Sequence, residues 1–347
     1  MQKIGLVLLL MASGTAQAAS FDCTKAKTPQ EKAICALQEL SAADEKMAAA
    51  YRVVLKSVPS EMVEAVREGQ RQWLRSVAIT CPARKMSFPL NLEECLKEEY
   101  QERTYVLQQS IARKDHILFV WRLVTLTAPD DSDEAENDRA RGVSSDYGTL
   151  NASWPQASTN NPEWEAWNKA IEAAVQEKAS DGNRDPSGKW MTEWAVDRDT
   201  DVTVKIGFVS QELVTVTLTY WWYGHGAAHR NTDSIQFNWL LKERRELQPE
   251  DLFKADSNWN THLYQRCMHA LDPQFEVDNP ENQHPSHLDN TVDEIVSNPK
   301  NWVLDSAGLA ITFPTGSVSC MACLVPDVKI PWKELKPFLK PNFEIPK

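Results

Sequence analysis

The chain has 347 residues, 42% of them hydrophobic, enough for two cores where single domains run to about 100–200 residues. Its net charge of −12 at pH 7 argues against a nucleic-acid partner, because phosphate contacts need clustered Lys and Arg, and suits a basic protein partner instead. With no G-x-S-x-G elbow, P-loop or dinucleotide fingerprint in the chain, no catalytic residue and no cofactor is expected.

Lys3, the apolar run from Ile4 to Met11 and the small residues Ala16-Gln17-Ala18-Ala19 read as a cleavable export signal, residues 1–19, with the mature chain starting at Ala19 or Ser20. The run is shorter than the roughly 20 residues that span a bilayer, and no later charge-free stretch reaches that length. No transmembrane segment is therefore expected, and the protein is placed in the periplasm or outside the cell. There, thiols end as disulfides. Cys23, Cys35, Cys81 and Cys95 lie in the first hundred residues and Cys267, Cys320 and Cys323 in the last third, which suggests two separately stapled units.

Thr28-Pro29-x-Glu31 carries a cap, a proline at the first helical position and an acid in the first turn, and predicts a short helix holding Ile34 and Cys35. Leu37, Leu40, Met47, Tyr51, Val54 and Leu55 recur at helical spacing until Pro59, and Ser60 then caps a helix with Met62, Val66, Trp73 and Val77 inward. A third long helix is predicted from Leu92 to Arg113, with Leu96, Tyr100, Leu107 and Ile111 inward. The expectation is a small antiparallel bundle over residues 20–113. Cys81 closes one helix and Cys95 opens the next, which favours Cys81–Cys95 and leaves Cys23–Cys35, out of three possible pairings. Trp73, Tyr51 and Tyr100 read as core residues. Asp44 either braces a helix or meets a partner.

The order Phe21-Asp22-Cys23-x-Lys25, Thr28-x-x-Glu31-Lys32-x-Ile34-Cys35, Leu40, Asp44, Tyr51, Gln70-x-x-Trp73-Leu74, Cys81, Cys95-Leu96, Tyr100 and Arg103 resembles the LprI-type lysozyme-inhibitor domain of exported bacterial proteins. Val77 stands where that family usually carries an arginine. The resemblance implies binding to lysozyme-type muramidases.

From His116 the chain becomes β-branched and aromatic, and Ile117 to Leu126 reads as a strand. The acidic run from Pro129 to Asp138 follows, including Asp130, Asp131, Asp133, Glu134 and Glu136. It is either a solvated loop or a docking segment for a basic partner, and it lacks calcium-loop spacing. A helix is expected from Glu163 to Ala179, then strands over 202–208, 213–222 and 234–240, making an antiparallel sheet with packed helices in an α+β domain over 114–347.

Tyr220 to Asn231, Leu247 to Phe253, Gly308 to Phe313 and Val328 to Leu335 resemble a second family. It is a domain of unknown function that forms the lysozyme-sensing C-terminal part of the anti-sigma factor RsiV and also accompanies a peptidoglycan deacetylase. Leu150 to Pro155 is similar to the module that usually precedes it. Cys320-Met321-Ala322-Cys323 stands where that family has an aromatic, glycine-rich stretch.

Cys323 runs into a strand-like segment and not a helix start, so redox catalysis is not expected; one of that pair is expected to bridge to Cys267. His225 and His229 stand four apart in a glycine turn, which does not favour a metal. With Tyr223 they join the acidic run as candidate partner-binding residues. The whole reads as an exported α+β protein that binds without catalysis. A lysozyme-type muramidase is the favoured partner and peptidoglycan the alternative, with Trp154, Trp164, Trp221 and Trp222 as rings that could stack on sugars.

Overall fold

The computed structural model describes residues 19–81, 91–130, 136, 147–159, 161–180, 198–225, 227–275, 286–319, 325–343 and 345. Of the expected export signal over residues 1–19, residues 1–18 lie outside them, as do Asp131, Asp133, Glu134, Cys320 and Cys323. Contacts divide the chain into two units, residues up to 57 with 80–109, and 58–79 with 110–347.

The chain opens with helices α1 (Pro29–Ala36), α2 (Gln38–Ser57), α3 (Ser60–Thr80) and α4 (Leu92–Gln109). At the start of α1, the Glu31 N–H donates to the Thr28 hydroxyl at 3.1 Å while the Thr28 N–H donates to the Glu31 carboxylate at 2.9 Å. This reciprocal box satisfies amides that have no partner within the helix.

In the first unit, Ile34, Leu40, Met47 and Val54 bury one stripe of α1 and α2, and Leu96, Tyr100 and Leu107 bury the facing stripe of α4. Lys97 pairs with Glu39 at 2.7 Å across α2 and α4. Disulfides join Cys23 to Cys35 and Cys81 to Cys95, each with Cα atoms 5.7 Å apart, as the helix ends suggested.

The last helix stops at Gln109, short of the expected Arg113. Residues Ile111–Lys114 form strand β1, antiparallel to β2 (Ile117–Pro129). The turn between them places Asp115 and His116 at φ 43° and 66°, a left-handed pair that helical periodicity cannot foresee.

In the second unit, β1 and β2 are followed by β3 (Tyr147–Ala157), α5 (Pro162–Ala179), β4 (Arg198–Val209), β5 (Leu213–Gly224), β6 (Asn231–Leu240) and β7 (Arg245–Glu246). Among the described residues these strands form one seven-stranded sheet in sequence order. The expected antiparallel pairing holds except between β3 and β4, which run parallel with Thr149 opposite Asp199. The crossover through α5 is the reason, since it returns the chain to the end where β3 began.

Phe119, Leu150, Trp154, Val202, Val204 and Leu218 from the sheet pack with Trp164, Trp167, Ile171 and Val175 of α5 in one core. Helix α3 also meets the sheet. Gly69 passes so close to the Leu123 carbonyl oxygen that a Cβ there would collide, and the Ser76 and Thr127 hydroxyls lie 2.6 Å apart. The sequence reading placed α3 in the bundle, whereas its contacts group residues 58–79 with the sheet.

The chain ends in α6 (Pro249–Leu252), α7 (Trp259–Phe275), α8 (Ser286–Ser297) and a three-stranded sheet of β8 (Trp302–Leu304), β9 (Gly308–Ile311) and β10 (Val328–Pro331), followed by α9 (Trp332–Leu335). They enclose a second core around Phe253, Leu263, Trp302, Leu309 and Ile330. Asn238 of β6 ties this core to the large sheet by donating to the carbonyls of Pro299 at 3.0 Å and Trp302 at 2.8 Å.

Cys267 in α7 is a free thiol with no exposed surface, and the cysteines expected to bridge to it, Cys320 and Cys323, lie outside the described residues. Burial pushes its pKa up to about 12, which keeps it protonated and unreactive.

Candidate functional site

Four strand ends converge at one end of the large sheet. Pro129 at the end of β2 faces Tyr147, Thr149 of β3 faces Asp199 of β4, and Arg198 faces Gly224 at the end of β5. This register brings Asp130, Asp199 and His225 together although 95 residues separate the first from the last.

His225 Nδ1 lies 3.2 Å from Asp130 Oδ2, and its Nε2 lies 3.9 Å from Asp199 Oδ2. The other Asp199 oxygen accepts from the Thr149 N–H at 3.0 Å and from its hydroxyl at 2.6 Å. The imidazole is therefore clasped between two carboxylates, one of which is fixed by a neighbouring strand. Burial alone would lower the His225 pKa, but the carboxylates of Asp199 and then Asp130 outweigh it and raise the pKa above the ordinary histidine value.

Beyond the clasp the chain turns back. The Tyr223 hydroxyl donates to the Ala227 carbonyl at 2.9 Å, the Ala227 N–H donates to the Gly224 carbonyl at 3.0 Å, and His229 Nδ1 lies 3.1 Å from the Arg230 carbonyl. Arg230 stacks its guanidinium 5.5 Å above the Trp221 ring. Asp199, Trp221, Tyr223, His229 and Arg230 line an open cavity of about 390 Å³. Its rim offers a carboxylate, a guanidinium and two aromatic rings, which suits a polar or charged group of a partner.

Asp130, Tyr223, His225 and His229 thus meet at one end of the sheet. Asp130 does not face solvent as docking would require, being 1% exposed and held by His225. Glu136 is exposed. Trp154 and Trp164 are interior at 0% and 5% exposure, so neither can stack on a sugar; Trp221 and Trp222 are half-buried. Sequence reasoning missed Asp199 and Arg230, whose places depend on the parallel β3–β4 pairing and on the turn after β5. Among the described residues, no group of three or more His, Cys, Asp or Glu side chains is placed to hold a metal.

Replacing His225 with alanine tests the clasp through its pH dependence. Because its pKa is raised in the folded state, its contribution is fully present below the unfolded value of about 6.5 and is lost as pH rises through the folded value. The variant should therefore lose more thermal stability relative to the parent at about pH 5.5 than at about pH 9. A difference in Tm that stays level across that range would show that the clasp adds nothing.

Residues 23–107 match the family model described as lysozyme inhibitor LprI, and residues 250–333 match that of a protein of unknown function, DUF3298. No match is found among curated proteins. Among solved structures, the chain is similar to a DUF3298 family member from Bacteroides fragilis, 17% identical with a TM-score of 0.42, covering 65% of this chain and 94% of that one. It is also similar to a DUF3298 family protein from Pseudomonas aeruginosa, 13% identical with a TM-score of 0.44, covering 67% and 98%. Asp130, Asp199 and His225 fall between the two matched segments. No helix among the described residues is long and apolar enough to cross a membrane. The chain thus joins an N-terminal segment similar to lysozyme inhibitor LprI to a later segment similar to DUF3298.

Proposed function

We propose that the protein is an exported, non-catalytic binding protein that binds lysozyme-type muramidases in the periplasm and slows their action. The observation that carries this reading is the lysozyme-inhibitor match over residues 23–107, on a helical segment stapled by Cys23–Cys35 and Cys81–Cys95. Both bridges fit an oxidising compartment. The net charge of −12 favours a basic partner and a fast, steered encounter. The first unit also exposes large apolar side chains, Val53 at 62% and Tyr105 at 59%, of the kind that anchor protein contacts.

The test is binding of the oxidised protein to c-type, g-type and i-type lysozymes at low and high salt, with lysis assays alongside. Salt-sensitive binding with slower lysis is expected; absence of binding to all three would remove the reading. Asp130 being committed to His225, steering falls to the rest of the acidic run. Changing Asp131, Asp133, Glu134 and Glu136 to their amides should lower the association rate more than it raises the dissociation rate, with the effect fading in high salt. A salt-insensitive, unchanged rate would take the run out of the mechanism.

A second reading, binding of peptidoglycan, is favoured by the open cavity in which Trp221 and Tyr223 stand beside Asp199 and Arg230. Insoluble peptidoglycan offered in the same experiment separates the two. Retention on the wall polymer alone would make this second reading the better one.

A further inference from the structure

Asp44 lies in the middle of α2 with 3% of its surface exposed. Its Oδ2 accepts the backbone N–H of Ser20 at 2.5 Å, across 24 residues of sequence, and the Ser20 hydroxyl bonds to it as well. Ala19 is itself only 7% exposed although its small side chain supplies little apolar drive, while Ser20 beside it is exposed.

Among the described residues, no cation forms an ion pair with Asp44. Burial raises its pKa, Ser20 counters part of that rise, and the neighbouring Glu45 adds to it. Arg52 acts in the opposite direction but reaches Glu45, at 3.5 Å. From α4 the facing titratable group is Tyr100, whose hydroxyl is pushed up by burial and then by Asp44 and Glu31. A buried carboxylate left with neutral donors alone is costly, and a cation at the same place would offset that cost.

Such a cation arises if the leader is removed. Hydrolysis of the Ala18–Ala19 bond consumes one water, leaves a carboxylate on the leader and an amine on Ala19, and that amine takes up a proton near neutral pH. A single residue separates this nitrogen from the one already on Asp44, which keeps it within a few ångströms of the carboxylate along the chain. We propose that Asp44 is the seat of the processed amino terminus, its carboxylate pairing inside the first unit with the ammonium that leader removal creates at Ala19. The inference rests on the export reading and deepens it: the folded inhibitor-type unit gains its counter-charge only after processing, which couples its stability to export.

The test uses the full oxidised chain from Ala19 onward, released from an N-terminal tag so that cellular processing plays no part. The α-amine should titrate at least about one unit above the ordinary 7.7–8.0, and acylation of it near pH 7.5 should be at least about tenfold slower than in Asp44→Asn. A Gly-Ser extension before Ala19 should lower the Tm of the parent and leave that of Asp44→Asn unchanged. An amine that titrates normally, with an extension that costs both proteins equally, would overturn the pairing. Should Asp44→Asn fail to fold, the parent's acylation rates in buffer and in denaturant, each corrected by a peptide standard, give the same readout; equal rates overturn the proposal. Intact mass of protein recovered from an exporting cell separates the premises, because a retained leader overturns the export reading whereas a normal amine on the Ala19 chain overturns the pairing alone.

Discussion

Replacing Trp167 with alanine should destabilise the second unit by about 3–5 kcal/mol, the largest effect of any single truncation in it. The ring has no exposed surface and stands edge-on to Phe119 at 5.7 Å and to Trp164 at 5.7 Å, while Phe119 and Trp164 meet at 5.6 Å. The three rings close a triangle between β2 and α5, and three such rigid groups leave little room for the site to collapse around a cavity. The consequence reaches beyond one contact, because α5 is the crossover that makes β3 and β4 parallel and so sets the register of Asp199. Against a typical total of about 5–15 kcal/mol, a loss of this size removes about a fifth or more of the folded state's margin. Equilibrium denaturation read by tryptophan fluorescence and circular dichroism checks it. A loss below about 1 kcal/mol would mean that α5 is held elsewhere.

Changing both Cys81 and Cys95 to alanine should cost the first unit about 3 kcal/mol, from the loop entropy returned to the unfolded chain by a bridge of sequence separation 14. Cys81 is 0% and Cys95 7% exposed, so truncation also removes packing around the sulfurs. The Cys23–Cys35 bridge spans a similar separation of 12, but Cys23 is exposed and Cys35 only half-buried. Its removal should therefore cost less. Thermal unfolding of the two double variants, each beside the parent, gives the order directly, and equal losses would show that burial of the sulfurs adds nothing to loop closure.

The elements that sequence reasoning placed are those whose information is local. Thr28 and Glu31 stand three apart and build the cap of α1 from their own backbone, and Asn161 before Pro162 does the same for α5. The alternation of Val202, Val204 and Ile206 announces a strand because neighbouring side chains in a strand point to opposite faces. The two N-terminal disulfides follow the helix ends, where few pairings are sterically open to four cysteines.

What the tertiary structure decided depends on partners far apart in the chain. Ile111 continues a helical stripe by spacing, yet it faces Val120 in a hairpin because the turn at Asp115 and His116 lets β1 fold onto β2. Asp130 opens an acidic run and reads as a docking residue. It is instead enclosed because β2 and β5 finish where β4 begins, at one end of the sheet, and His225 arrives there to meet it. Asp44 shows only a polar residue inside a helix until Ser20 is found against it. Periodicity and capping follow from interactions within a few residues, which the order of side chains specifies. The clasp at His225 follows from the pairing of strands across long loops, and only packing of the whole sheet fixes which ends meet.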